Sequence, residues 1–318
     1  MLLLNCDKIK NRMNDIIEAI DTKLLMSELT KEKFVRSTHF GDNEIYIFTH
    51  KDSPNLIKEV GRLREIAFRT AGGGTGKDCD LDEFDLSSHP YKQLIVWDPR
   101  EREIIGGYRY IESKCAPVDE NGNPEFATSK LFNYSDEFKR DYLPYLIELG
   151  RSFVVPAKQA TSGRRALFAL DNLWDGLGSL VVDNPDVKYF FGKVTMYTHY
   201  NTEARNMILY FLNNYFGNYE HLIRLINPLD LEMDESKMKD IFVGNDYESD
   251  YKLLGKRVRE LGENIPPLIN AYMGLSPTMK VFGTSINPYF GGVEETGIMI
   301  TINDIHPNKS KRHVETYK

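Results

Sequence analysis

Cysteine is scarce, and the three present, Cys6, Cys79 and Cys115, are too widely spaced to form a CxxC pair. Neither a disulfide framework nor a thiolate metal site is expected. The seven histidines show no HExxH and no paired-ligand spacing, so no metal is expected. No apolar run approaches the ~20 residues of a membrane-spanning helix. Met1 to Leu4 is followed at once by Asn5, Cys6, Asp7 and Lys8, with no basic start and no long apolar core. A secretory leader is therefore not expected, and the chain reads as cytoplasmic. Positive charge is not in excess either. The formal net charge of −7 favours no nucleic-acid partner. It gives no general pull on an acidic protein, so docking of one would need a local basic patch.

What is present is a globular balance, 41% hydrophobic and 27% charged over 318 residues. One large domain with embellishments fits that length as well as two domains do. Ile9, Met13, Ile16, Ile17 and Ile20 recur at helical spacing and predict an amphipathic helix over 7–33. Its polar face is mixed in charge. Packing on the core is thus favoured over lying on a membrane, although peripheral contact at the inner membrane face stays open. Further on, alternation predicts a strand at 44–48, and further strands are expected at 93–98, 104–112, 145–155 and 189–194, with two more near Val281 and at 298–302. Helices are predicted at 56–68, 164–180 and 267–275, with a helix-rich stretch over 202–261. The expected fold class is mixed α/β (α+β), a mostly antiparallel sheet flanked by helices. The domain expectation is an N-terminal helix region over 1–36, a main domain over 37–305 with a helical insertion at 202–261, and a polar tail over 306–318.

Gly72-Gly73-Gly74-Thr75-Gly76-Lys77-Asp78 imitates a phosphate loop and fails as one. Ala71 replaces the first glycine, and Asp78 stands where a magnesium-binding hydroxyl belongs. The segment also follows a helix rather than a strand. A mobile glycine hinge over a binding site is the better expectation.

Charges that interrupt apolar strands are costly unless paired or used. Arg64 shares a helical face with Phe68, Asp82 and Asp85 follow the glycine loop, and Arg109 breaks the strand Gly106-Gly107-Tyr108-Arg109-Tyr110. Glu148 and Arg151 flank Leu149-Gly150 in a strand continuing Ser152-Phe153-Val154-Val155. On physical grounds alone, a structural ion-pair network and a catalytic site are equally good readings.

The order and spacing of these residues resemble the acyl-homoserine-lactone synthases and the ornithine-lipid N-acyltransferases. Those families share an Arg-x-x-x-Phe helix, an Asp-x-x-Asp segment, a strand arginine and a Glu-x-x-Arg strand. Ile265-Pro266-Pro267-Leu268-Ile269-Asn270-Ala271-Tyr272 resembles a segment of the second, aminolipid branch, whose relatives often carry the label hemolysin. The resemblance implies a GNAT fold and acyl transfer, without a cofactor, from acyl carrier protein to the amine of a small amino acid, ornithine or glycine. Two alternatives stay open: a signal synthase of the lactone type, and a non-catalytic module that binds acyl carrier or lipid.

Under this resemblance Glu148 receives the amine proton, with Arg151 beside it. Backbone N–H groups at a bulge near Phe153 and Val154 polarise the thioester carbonyl. Arg64, Phe68, Asp82, Asp85, Arg109 and Ser152 contact substrate. Tyr197 and His199 are candidate proton donors to sulfur, although a structural role suits them better. Lys158, Gly163, Arg164 and Arg165 are expected to meet the phosphopantetheine arm or its carrier. The 156–165 loop lacks the glycine spacing that cradles a CoA pyrophosphate.

Overall fold

The computed structural model describes residues 13–159, 164–217, 219–242 and 246–317, without the side chains of 158–167. After a short helix α1 (Thr22–Glu28), β1 (Phe34–Ser37) and β2 (Glu44–Phe48) form a hairpin. Helix α2 (Pro54–Thr70), the short α3 (Glu83–Leu86), β3 (Lys92–Asp98) and β4 (Glu103–Glu112) follow. Next come β5 (Phe132–Tyr134), β6 (Leu146–Val154), α4 (Pro156–Gln159), α5 (Arg164–Asp183) and β7 (Tyr189–Met196). Helix α6 (Thr202–Phe216), β8 (Ile223–Leu225), α7 (Glu235–Ile241), α8 (Tyr247–Glu260) and α9 (Pro267–Met273) lead to the hairpin of β9 (Lys280–Asn287) and β10 (Val293–Thr301). Helix α10 (Pro307–His313) ends the described chain.

Eight strands form one sheet in the order β1-β2-β3-β4-β6-β7-β10-β9, while β5 and β8 pair separately. Among the described residues only β6 and β7 run parallel, and their pairing covers just Leu146–Leu149 against Tyr189–Gly192. Beyond Gly192 the two strands part. Side-chain alternation splits the core between the faces. Tyr108, Leu149, Phe190 and Ile300 pack with α5, α6, α8 and α9 on one face. On the other, Ile95, Phe153 and Val293 pack under α2, while Phe191, Phe282 and Met299 pack under β5 and β8.

Three expectations need correction. The helix over 7–33 is reduced to α1, and residues 7–12 lie outside the described residues. Residues 13–20 form no regular element, because their backbone has better partners than itself. Asn14 N–H donates to Gly76 O and Ile17 N–H to Asp78 O, both at 3.0 Å, and Ile20 N–H donates to a Glu59 carboxylate oxygen. Asp21 then caps Lys23 N–H and starts the helix there.

The glycine loop is not a free hinge either. Buried Glu65 accepts from Thr75 N–H, Thr75 Oγ1 and Gly76 N–H and pairs with Arg69. Gly72 has φ +91°, and a Cβ there would lie 2.8 Å from His199 Nδ1. Lastly, the segment expected as a polar tail forms α10 and packs on α5. Buried His313 Nδ1 lies 2.8 Å from Asp175 Oδ1, and a Cβ on Gly178 would lie 2.0 Å from His313 O.

Candidate active site

Helix α2 carries Arg64 into a fully enclosed network. Its guanidinium donates to Asp80 Oδ2 at 3.0 Å, to Asp85 Oδ2 at 2.9 Å and to Gln93 Oε1 at 3.3 Å. Asp82 and Asp85 form the capping box of α3, which fixes where both carboxylates point. From β4, Arg109 reaches Asp82 Oδ1 at 2.7 Å and Asp85 Oδ2 at 3.0 Å. Burial works to raise the Asp85 pKa, but Arg64 and Arg109 outweigh it and hold the carboxyl well below its usual range.

Arg151 closes the network from β6, with Nε 2.9 Å from Asp80 Oδ2. Its guanidinium also lies 4.3 Å from the centre of the Phe290 ring, against which Phe68 packs edge-on at 5.0 Å. Asp80 is thereby shared by two arginines. Burial again pushes its pKa up, and Arg151 and Arg64 together bring it below normal.

The β6 strand bulges at this point. Gly107 pairs with Phe153 and Arg109 with Gly150, so Arg151 and Ser152 together face Tyr108. Arg151 takes φ +50°, a conformation few side chains other than glycine adopt, and its ion pair and ring contact hold it there. The bulge therefore lies before Phe153 and Val154, which pair with Gly107 and Gly106. A Cβ on Gly106 would sit 2.5 Å from Phe153 O, so β4 can approach this closely only as glycine there.

Where β6 and β7 diverge beside the bulge, a narrow cavity of about 40 Å³ opens. Gly150, Arg151, Ser152, Gly192, Lys193 and Tyr108 border it. A second, apolar cavity adjoins it under α5, sharing Leu149, Phe190, Tyr272 and Ile300.

Glu148 does not line this cavity. Its carboxylate accepts from Thr128 N–H at 2.9 Å, from Ala127 N–H at 3.3 Å and from the Tyr91 hydroxyl. Burial pushes its pKa up, and the Thr128 and Tyr91 hydrogen bonds offset only part of that. Arg151 is engaged with Asp80 and Asp82 instead, and the arginine that pulls Glu148 down is Arg109.

The fold thus joins Arg64, Asp82, Asp85, Arg109 and Arg151, with Phe68 supporting Phe290. Arg64, Asp85 and Arg109 are closed to solvent and hold one another through ion pairs. Ser152 borders the cavity. Tyr197 and His199 stack at 6.0 Å against the glycine loop and do not line the cavity. Gly163 lies outside the described residues, as do the side chains of Lys158, Arg164 and Arg165. Sequence reasoning missed Asp80, Tyr91, Gln93, Lys193 and Glu295. The last two interrupt apolar strands just as Arg109 does, and that signal could have found them.

A central sheet with one parallel strand pair that splays beside a bulge defines an acyltransferase of the GNAT class. The family description "Acetyltransferase (GNAT) domain" matches residues 63–169. A glycine N(alpha)-acyltransferase of Phocaeicola vulgatus is 54% identical over 96% of this chain and 94% of its own length. One of Bacteroides thetaiotaomicron is 53% identical over 96% of this chain and 91% of its own. The chain belongs to this aminolipid N-acyltransferase family. Two solved acyl-homoserine-lactone synthases are more distantly similar. LasI is 15% identical with TM-score 0.33, covering 50% of this chain and 74% of that one. The CoA-dependent BjaI is 13% identical with TM-score 0.30, covering 52% and 72%.

Proposed function

We propose that this N-acyltransferase moves a fatty acyl group from a carrier-protein thioester to the amino group of glycine, the first step in making an aminolipid. The observation that carries the acceptor is the identity of more than half, over nearly the full length, with two proteins named for glycine. Ornithine, the other acceptor the resemblance allowed, has no such support.

In this reading the thioester carbonyl lies at the Arg151–Ser152 bulge, where a backbone N–H left over by the strand ladder polarises it. The acyl chain runs toward the apolar cavity bordered by Trp174, Leu177 and Leu275. Glu148 takes a proton from the incoming ammonium, directly or through water. The neutral amine attacks the carbonyl carbon, the C–N bond forms, and the C–S bond breaks with its electron pair going to sulfur. No electrons pass to an outside acceptor, so the chemistry needs no redox cofactor. Among the described residues no helix is long and apolar enough to cross a membrane. A cytoplasmic place at the inner membrane face, where an amphiphilic product could be released, belongs to the same proposal.

The test is turnover of an acyl carrier thioester against a panel of glycine, alanine, serine, ornithine and homoserine lactone. Glycine should give the highest kcat/KM. A clear preference for ornithine would replace the acceptor, and no turnover with any amine would favour a binding module.

A further inference from the structure

The transfer leaves a thiolate that must be protonated, and the wall of the cleft carries a cation not yet accounted for. Gly192 is the last β7 residue paired with β6, and a Cβ on it would lie 2.5 Å from Leu149 O. Lys193 is therefore the first residue past the point where the strands part, and it borders the cavity together with Arg151. Its side chain is only 10% exposed and is paired with Glu295 of β10. Glu295 is itself held on three sides, by Lys193, by Asn287 Nδ2 at 2.7 Å and by Thr195 Oγ1 at 3.2 Å. An ammonium has three donors. One goes to Glu295, which leaves capacity for a group in the cleft.

We propose that Lys193 is the acid that protonates the departing thiolate, held in place by Glu295, Asn287 and Thr195; this rests on the thioester reading above. As the C–S bond breaks, its electron pair goes to sulfur and a proton passes from Lys193 Nζ to that sulfur. The neutral amine left behind regains a proton from the substrate nitrogen, which sheds its second proton as the amide forms.

The phenol hydroxyls of Tyr108 and Tyr272 at this wall are weaker donors. Burial raises the pKa of both Tyr108 and Tyr272, and giving up a proton there would create a buried phenolate. For Lys193 burial acts the opposite way. It lowers the pKa against the pull of Glu295, and Arg151 and Arg109 lower it further. Losing the proton neutralises Lys193, while Asn287 and Thr195 keep their hydrogen bonds to the Glu295 carboxylate. Tyr197, whose pKa is pushed up to about 12 by burial, stands outside the cavity wall.

The experiment compares two donors carrying the same acyl group, a pantetheine thioester and a thiophenol thioester, with glycine as acceptor. An aryl thiolate departs without protonation, whereas an alkyl thiolate is a much poorer leaving group. K193M and K193R should each lose about 10²-fold in kcat with the pantetheine donor and change little with the aryl donor. Because K193M strands buried Glu295, the double variant K193M/E295Q removes both charges and should show the same donor dependence. Equal losses with both donors would overturn the assignment. So would near-normal K193R activity with K193M altered only in the KM for glycine, which would make Lys193 a carboxylate anchor. If the wild-type protein transfers from neither donor, the thioester reading falls, and this inference with it.

Discussion

Glu148 is one of the buried acids whose role depends on which neighbour it meets. Its sequence position, three residues before Arg151, suggests a mutual pair. The structure separates them, since Arg151 turns at the bulge toward Asp80 while Glu148 faces Tyr91, Ala127 and Thr128. Desolvation is then the dominant influence, and the carboxyl titrates above its ordinary value of 4.5. A base must be deprotonated to act, so kcat/KM should rise with pH through that elevated pKa. E148Q should keep the fold, lower turnover about 10²-fold and remove this acidic limb. Wild-type rates in a folded E148Q protein would exclude Glu148 from the reaction.

Among the elements, the decisive junction ties α2, the 80–86 segment, β4 and β6 through six charged side chains. Helical periodicity, the Asp-x-x-Asp spacing and the charges inside apolar strands made five of these partners legible in the sequence. Asp80 was not, because in the run Asp78-Cys79-Asp80-Leu81-Asp82 nothing local says which carboxylate turns inward. Replacing Asp85 with alanine leaves Arg64 and Arg109 buried without their shared partner, and about 3–5 kcal/mol of stability should be lost. The Asp85 pKa is lowered on folding. Its stabilisation is therefore full above the unfolded-state pKa and is lost as pH falls through the folded value. Urea melts at neutral and acidic pH check both statements, and the deficit of D85A should shrink in acid. Unchanged stability with lost activity would instead place Asp85 in substrate binding.

At the scale of the whole molecule, the donor is the open assignment. With a net charge of −7, an acidic carrier would be repelled overall and would need a local cationic landing site. Lys158, Arg164 and Arg165 stand where α4 ends and α5 begins, just after β6. Exposed charges act over about 10 Å at 0.1 M ionic strength, so carrier turnover should fall as salt rises. Changing Arg164 and Arg165 to Glu should slow association with the carrier and leave transfer from a pantetheine thioester nearly intact. A preference for acyl-CoA, with neither salt nor these changes affecting the carrier reaction, would remove the carrier and leave the acyltransferase.

The GNAT core was readable from the chain because its central strands are apolar runs of strand length and each charged motif lies within a few residues of its strand or helix. Register and burial there follow from local pattern, and the Arg64, Asp82, Arg109 and Glu148 positions came with them. The start of the chain was misread for a complementary reason. Spacing such as that of Ile16, Ile17 and Ile20 marks a half-buried stretch, but it does not reveal that the glycine loop offers its backbone better partners. Only the tertiary structure could place the bulge at Arg151, turn Arg151 from Glu148 to Asp80, and join Lys193 to Glu295, 102 positions away. The energy of a buried charge is set by what surrounds it in space, and in those cases the surroundings come from distant parts of the chain.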